Sequence, residues 1–206
     1  VRVTQYRIEG LGHLSTLVVD EVEGVAAVVD PRRDVDVYLD AARADDLRIT
    51  HVVETHLHND YVSGGRELAA LSGASHVIGT GAELAYEHRP LADGEAFDVG
   101  SIRFRALATP GHTPEHMSYA VADTTRADEP FLLLTGGSML VGAVGRTDLL
   151  GAANARPFAA AMYRSLHDVL LRHEDSDGLP DARRRLAVLR GHRLDVVVDH
   201  RLRAAS

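Results

Sequence analysis

Ile49-Thr50-His51-Val52-Val53-Glu54-Thr55-His56-Leu57-His58-Asn59-Asp60-Tyr61-Val62-Ser63-Gly64-Gly65 is the stretch that decides the fold. Residues 49–54 form an apolar run that reads as a buried strand. It leads into two imidazoles and a carboxylate at alternate positions. In extended chain, residues i, i+2 and i+4 project to one side, so His56, His58 and Asp60 share a face where the strand gives way to a turn. Imidazole suits zinc and iron, and a carboxylate can ligate or orient a histidine. The spacing favours a joint metal site over a set of unrelated polar loop residues.

Strand and helix signals extend in both directions from that stretch. The pattern predicts strands over 3–8, 14–19 and 25–29, the last closed by Asp30-Pro31. A helix is predicted over 35–47 with Asp34 as its cap, and another over 65–72 with Leu68 and Leu71 turned inward. Further strands are expected over 76–79, 102–108, 118–121 and 131–135, with Asp93-Gly94 and Asp98-Val99-Gly100 marking a hairpin. The longest helix is expected over 156–172. Runs of strands with helices between some of them indicate an α/β chain with helices outside two sheets, an αββα sandwich.

Composition narrows the function. The 206 residues suit one well-cored domain. A formal charge of −8 argues against a nucleic-acid grip, which needs a basic face. No run of about 18 apolar residues is present to span a membrane, and no signal-peptide pattern opens the chain. With no cysteine, disulfides, thiolate ligands and a cysteine nucleophile are excluded. A cytoplasmic location is the default expectation. All 22 basic residues are arginine, a bias that points to a GC-rich genome. The opening Val1 reads as a fragment, a processed form or a GTG start.

A second half-site lies at Thr109-Pro110-Gly111-His112-Thr113-Pro114, a stiff loop with a histidine at its centre. His112 supplies the third imidazole of a three-ligand catalytic centre. Together with Asp30-Pro31, Leu134-Thr135-Gly136-Gly137 and Gly145-Arg146-Thr147-Asp148, these motifs resemble the metallo-β-lactamase superfamily. Within it they look most like the persulfide dioxygenases and their rhodanese-fused relatives, from about Gln5 to His173. The resemblance implies a metallo-β-lactamase sandwich holding one divalent metal, Fe(II) ahead of Zn(II). It places metal ligands at His56 and His112, and at His58, the second motif histidine that is a ligand in dinuclear relatives. It further implies a small thiol or persulfide substrate, compatibility with a homodimer, and a downstream rhodanese domain lost here. Asp60 and Tyr61 are the candidate catalytic residues. Arg146 is the candidate substrate-binding residue, suited to a carboxylate such as that of glutathione.

The family pattern fails at three places. Its Asp after Thr-Gly falls on Gly137, which cannot ligate. Its last first-motif His is Tyr61, which disfavours a metal pair. Its late Tyr-Pro-Thr-His-Gly-Ala-Gly-Ser segment is missing, and an Arg-rich tail follows instead. Residues 179–187 can be written CTA CCC GAC GCA CGG CGC CGG CTC GCT. Read from the second base, those letters give TAC CCG ACG CAC GGC GCC GGC TCG, the missing motif. The chain therefore divides into a metallo-β-lactamase-fold domain over 1–177 and a tail over 178–206 read as translated out of frame, so that the C-terminal part of the fold is incomplete or aberrant. His192 and His200 in that tail receive no role.

The leading expectation is a persulfide dioxygenase-like enzyme, oxidising a glutathione-type persulfide to sulfite, with a degraded metal site. The alternatives are a glyoxalase II-like thioester hydrolase and a non-catalytic remnant. His13, His51 and His76 read as structural or solvated; His116 reads first as an ordinary loop residue, with a place behind the ligands as the lesser alternative; Asp30 reads as a turn cap, which the resemblance makes a supporting residue near the metal but not a ligand.

Overall fold

The computed structural model describes residues 1–8, 10, 12–140, 142–174, 187–190 and 193–195. Each half of the chain builds one six-stranded sheet in sequence order. The first sheet holds β1 (Arg2–Ile8), β2 (His13–Asp20), β3 (Val25–Val29), β4 (Arg48–Val53), β5 (Ser75–Gly79) and β6 (Arg89–Leu91). Its β1–β2–β3 part is antiparallel, and from β3 to β6 the neighbours run parallel. Parallel neighbours need long crossovers. Two of these are helices, α1 (Asp36–Ala44) between β3 and β4, and α2 (Gly65–Ser72) between β4 and β5.

The second sheet holds β7 (Ala96–Val99), β8 (Ile102–Ala108), β9 (Met117–Asp123) and β10 (Leu132–Leu134) as an antiparallel meander. Two more strands lie within the tail. β11 (Ala187–Arg190) runs parallel to β10, and β12 (Arg193–Asp195) runs antiparallel to β11. The rest of the tail reading, including His192 and His200, lies outside the described residues.

Three apolar clusters define four layers. Val18, Val29, Val53, Val77, Phe104 and Tyr119 belong to the core between the sheets. Leu17, Val19, Val28 and Val52 turn the other way, onto Tyr38 and Ala42 of α1 and Leu68 of α2. Leu107 and Leu133 pack beneath Leu166, Val169 and Leu170 of the final helical segment. β3 contributes to both faces, which is why it reads as an unbroken apolar run rather than an alternating one. The αββα sandwich expected from the sequence is the architecture observed.

Local details differ from expectation. α1 starts at Asp36 with Val35 at the cap position and no side-chain cap, because Asp34 pairs with Arg32 instead. Leu71 is 61 % exposed, whereas Leu68 is fully buried; an eight-residue helix turns only a narrow stripe inward. The long helix begins earlier than expected, as α3 (Ala152–Arg164). It continues through a π-helical turn, Ser165–Leu170, into α4 (Leu171–Glu174). Ser165 donates to the Pro110 carbonyl at 2.7 Å, tying this π segment to the His112 loop. Among the described residues, no helix is long and apolar enough to cross a membrane.

Candidate metal centre

Four loops meet at one edge of the sandwich. They follow β3 (Asp30), β4 (His56 and His58), β8 (His112) and β10 (Gly136-Gly137), and surround a cavity of about 300 Å³ lined by all six residues. Asp30 bends the chain sharply after β3 with φ at 50°, a left-handed conformation that short polar residues tolerate best. His56 is the hub of the imidazoles. Its ring centroid lies 4.1 Å from His58, 4.8 Å from His112 and 4.9 Å from His116.

Hydrogen bonds fix which nitrogen of each ring carries a proton. Thr55 gives its one hydroxyl proton to Asp30 Oδ2 at 2.8 Å, so its oxygen accepts from His56 Nδ1–H at 2.8 Å. His112 Nδ1–H donates to the Arg146 carbonyl at 2.9 Å. Each of these rings is left with Nε2 as a lone-pair nitrogen. His58 presents Nε2 to Asp30 Oδ1 at 3.1 Å, which leaves Nδ1 as its other ligating atom. Oxygen partners behind the imidazoles are the usual means of orienting metal ligands. Burial pushes His56 well below its ordinary pKa, reinforced by its histidine neighbours, so it stays a neutral donor.

A second grouping shares His58. Among the described residues, Asp30, Glu54 and His58 form the one set of three donors whose ligand atoms all lie within 4.8 Å, a candidate metal-binding triad by spacing. Most of its atoms are already engaged, although Glu54 Oε2 has no hydrogen bond among the described residues and lies 3.5 Å from His58 Nε2. Asp30 accepts from Thr55 N–H, Thr55 Oγ1–H and His58, and Glu54 Oε1 accepts from Ser63 Oγ–H. Burial alone would lower the His58 pKa, but Asp30 and Glu54 overcome it and hold the value near 10. Burial likewise acts to raise the Glu54 carboxyl, and the nearby His58 and His76 rings with the bond from Ser63 bring it below the usual range. Without a metal, His58 is therefore an imidazolium between two carboxylates, and its Nδ1 could ligate only after giving up its proton. Glu54 does not line the cavity, whereas His56, His58 and His112 do. Three imidazoles and Asp30 thus face the cleft, and Glu54 lies outside it.

Position 137 decides the rest. A Cβ there would lie 2.5 Å from His112 Cδ2 and 3.0 Å from its Nε2, so the imidazole fills the space beside the glycine. No carboxylate can reach the cleft from 137 while that ring stays in place. His116 explains the turn's shape. Its Nε2 accepts the Gly137 N–H at 3.1 Å, and its Nδ1 faces Thr109 Oγ1 at 2.9 Å and Ser138 Oγ at 3.1 Å. Burial, then the nearby His112, lowers its pKa to about 3. His116 is a neutral strut between the Gly136-Gly137 turn and Thr109.

The remaining sequence candidates are placed as follows. Asp60 is exposed and lines the cavity. Tyr61 packs its ring 4.0 Å from His13 and 4.4 Å from His58, and its hydroxyl is buried without a partner among the described residues. Burial raises its pKa strongly, so it remains a neutral phenol. Arg146 lines the cavity and holds Asp148 through two bonds of 2.9 and 3.0 Å. Sequence reasoning missed Glu54 and treated His13 as ordinary. The alternate spacing that singled out His56, His58 and Asp60 also includes Glu54, one step earlier. His13 Nε2–H donates to the Asp30 carbonyl at 3.0 Å, a contact across two strands that no local pattern reveals.

The chain belongs to the metallo-beta-lactamase superfamily, whose family model matches residues 8–201. It is 34 % identical over 156 residues to a hydroxyacylglutathione hydrolase-like protein of Homo sapiens, a match covering 74 % of this chain and 50 % of that protein. It is 27 % identical over 157 residues to hydroxyacylglutathione hydrolase of Dictyostelium discoideum, covering 76 % of this chain and 56 % of that protein. The chain thus spans about half the length of the curated relatives it matches. Among solved structures, ETHE1 from Myxococcus xanthus superposes with a TM-score of 0.77 at 28 % identity, covering 95 % of this chain and 77 % of that one. A metallo-beta-lactamase from Staphylococcus aureus gives a TM-score of 0.78 at 29 % identity, covering 92 % of this chain and 55 % of that one.

Proposed function

We propose that this chain is a mononuclear metal-dependent enzyme acting on a small glutathione-type thiol derivative, and that thioester hydrolysis is the reaction its site suits best. The donor set carries this reading. Three imidazoles with oriented ring nitrogens face one cleft, and position 137 supplies no carboxylate. Three histidines with an open position characterise zinc hydrolytic sites, whereas iron oxygenases use two histidines and a carboxylate. A divalent ion held by His56, His58 and His112 supplies Lewis acidity toward a carbonyl and lowers the pKa of water.

The protein's own groups divide the remaining work. Asp30 and Thr55 fix the His58 and His56 rings, and the Arg146 carbonyl fixes His112. Asp60 is the exposed carboxylate of the cleft. It is assigned to accept a proton from the attacking water and return it to the leaving sulfur. Arg146 meets a substrate carboxylate by exchanging one of its bonds to Asp148. Tyr61 acts by packing, holding the His58 ring from behind. The hydroxyacylglutathione hydrolase relatives support this chemistry.

Persulfide oxidation is the second reading, supported by the likeness to ETHE1 over 95 % of the chain. The missing carboxylate counts against it, and also keeps the non-catalytic alternative in play. Metal content of the purified protein, followed by two assays, separates the three. About one zinc per chain with hydrolysis of a hydroxyacyl thioester of glutathione is the expected result. About one iron with persulfide-dependent oxygen uptake would replace it with the dioxygenase. No metal uptake and no turnover would refute both.

A further inference from the structure

One wall of the cleft breaks the strand pattern around it. Val1, just before β1, and Val3 on it pack against the inter-sheet core, and on β2 Val18 belongs to that core. Side chains two residues apart share a face, so Gln5 and Thr16 stand on the same inward face. They are also register partners, Gln5 opposite Thr16, next to the apolar pair Val3 and Val18. Directly opposed residues have Cβ atoms about 5 Å apart. Both line the cavity together with Leu14. Thr16 is 5 % exposed. Neither side chain has a hydrogen-bond partner among the described residues. Two uncharged polar groups therefore replace core residues where the core opens into the cleft. Departures from a local pattern of this kind concentrate at functional sites.

The same face continues to Arg7, which is exposed and pairs in register with the cavity-lining Leu14. Arg7 has no ion pair among the described residues. From core to rim, the face of β1 thus runs from an aliphatic residue to a carboxamide to a free guanidinium. A carboxamide offers one acceptor and two donors, and the Thr16 hydroxyl one donor and two lone pairs. This combination matches a peptide amide, which brings a C=O and an N–H together. The guanidinium matches a carboxylate.

We infer that β1 and β2 form a recognition strip for a peptide-type thiol, in which Gln5 and Thr16 bind a substrate amide and Arg7 binds a carboxylate beyond it. This rests on the reading of the cleft as a site for a glutathione-type thiol. It assigns that specificity to a strand pair remote in sequence from every metal ligand.

Calorimetric binding of two unreactive probes tests the strip, on metal-loaded and metal-depleted protein. S-methylglutathione carries amides and carboxylates; N-acetyl-S-methylcysteamine carries one amide and no charge. Gln5→Leu and the isosteric Thr16→Val should each weaken both probes by about 5- to 20-fold. Arg7→Gln should weaken S-methylglutathione alone, by about 2- to 5-fold, and the wild-type advantage should shrink as salt is raised. Unchanged S-methylglutathione affinity in both Gln5→Leu and Thr16→Val would overturn the strip and leave the glutathione reading standing. Binding of the cysteamine probe alone, dependent on Gln5, would keep the amide half of the strip and overturn the glutathione reading. Binding of neither probe by the wild type would overturn both.

Discussion

Replacing Gly137 by alanine adds one methyl group at the point where the site departs from its family. That carbon would sit 2.5 Å from His112 Cδ2 and 3.1 Å from Cγ. Carbons in ordinary contact are about 3.5–4.0 Å apart, so the ring must retreat by about 1 Å. Retreat is obstructed, because a Cβ on Gly145 would itself lie 2.7 Å from His112 Cγ and Nδ1. The ring is gripped between two glycines, which are joined by a 2.9 Å bond from Gly145 N–H to the Gly137 carbonyl. Overpacking of this sort costs about 1–3 kcal/mol, and losing the His112 bond to Arg146 about 1 kcal/mol more. Gly137 lacks the positive φ found at Gly136, so the effect of alanine is steric rather than a backbone penalty. We expect Gly137→Ala to lower unfolding free energy by about 2–4 kcal/mol in denaturant titrations without metal. Zinc affinity in chelator competition should fall about tenfold or more, as when an orienting partner is lost. If the variant matches wild type in both measurements, His112 does not occupy the space beside Gly137 and the argument against a carboxylate there fails.

Four other outcomes follow from separate parts of the structure. Thr55→Val removes the hydroxyl between Asp30 and His56, and should weaken metal binding about 10- to 100-fold in the same competition assay. Asp20 is buried, and burial acts to raise its pKa; its bonds from Ser101, Glu23 and Val22 overcome this and lower it. Its contribution is present above the unfolded carboxylate pKa of about 3.9 and is lost as pH falls through the lower folded value. Asp20→Asn should therefore cost about 1–2 kcal/mol at neutral pH and flatten stability curves below about pH 4. Leu68→Ala should cost about 2–5 kcal/mol and Leu71→Ala under about 0.5 kcal/mol in thermal or chemical unfolding. Sequencing the coding DNA should return CTA CCC GAC GCA CGG CGC CGG CTC GCT at 179–187. Codons that do not yield the family segment one base later would reject the out-of-frame reading of the tail.

Much of the architecture was legible because local and tertiary signals agreed. β3, α2 and β8 fall where period and punctuation place them. The failures have physical causes. Asp34 looked like a helix cap, but Arg32 two residues earlier offered its carboxylate a charged partner instead. A helix start was expected at Arg156; α3 begins at Ala152 and carries Pro157 inside it. In the cleft, the sequence motifs supplied the three imidazoles but not their partners. The oxygens that set each ring come from Asp30, Thr55 and the Arg146 main chain, and the last of these is invisible to any reading of side-chain types. Glu54 was overlooked because a carboxylate closing an apolar strand suggests its end, whereas here it is buried between His58 and His76.

The division of the chain into two sheets, each formed from one contiguous half, has a consequence for how the cleft comes into being. His56, His58 and Asp30 belong to the half that forms the first sheet, while His112, His116 and Gly137 belong to the half that forms the second. The three cleft-facing imidazoles proposed as ligands are therefore divided between the halves, two on the first and one on the second. A ligand that binds the docked pair and not the separate pieces adds its binding free energy to their association. A chain cut in the short turn between β6 and β7 should thus reassemble from two fragments, and zinc should act as an adhesive between them. A metal bound by the proposed imidazoles would serve the fold as a clasp, whatever chemistry it supplied.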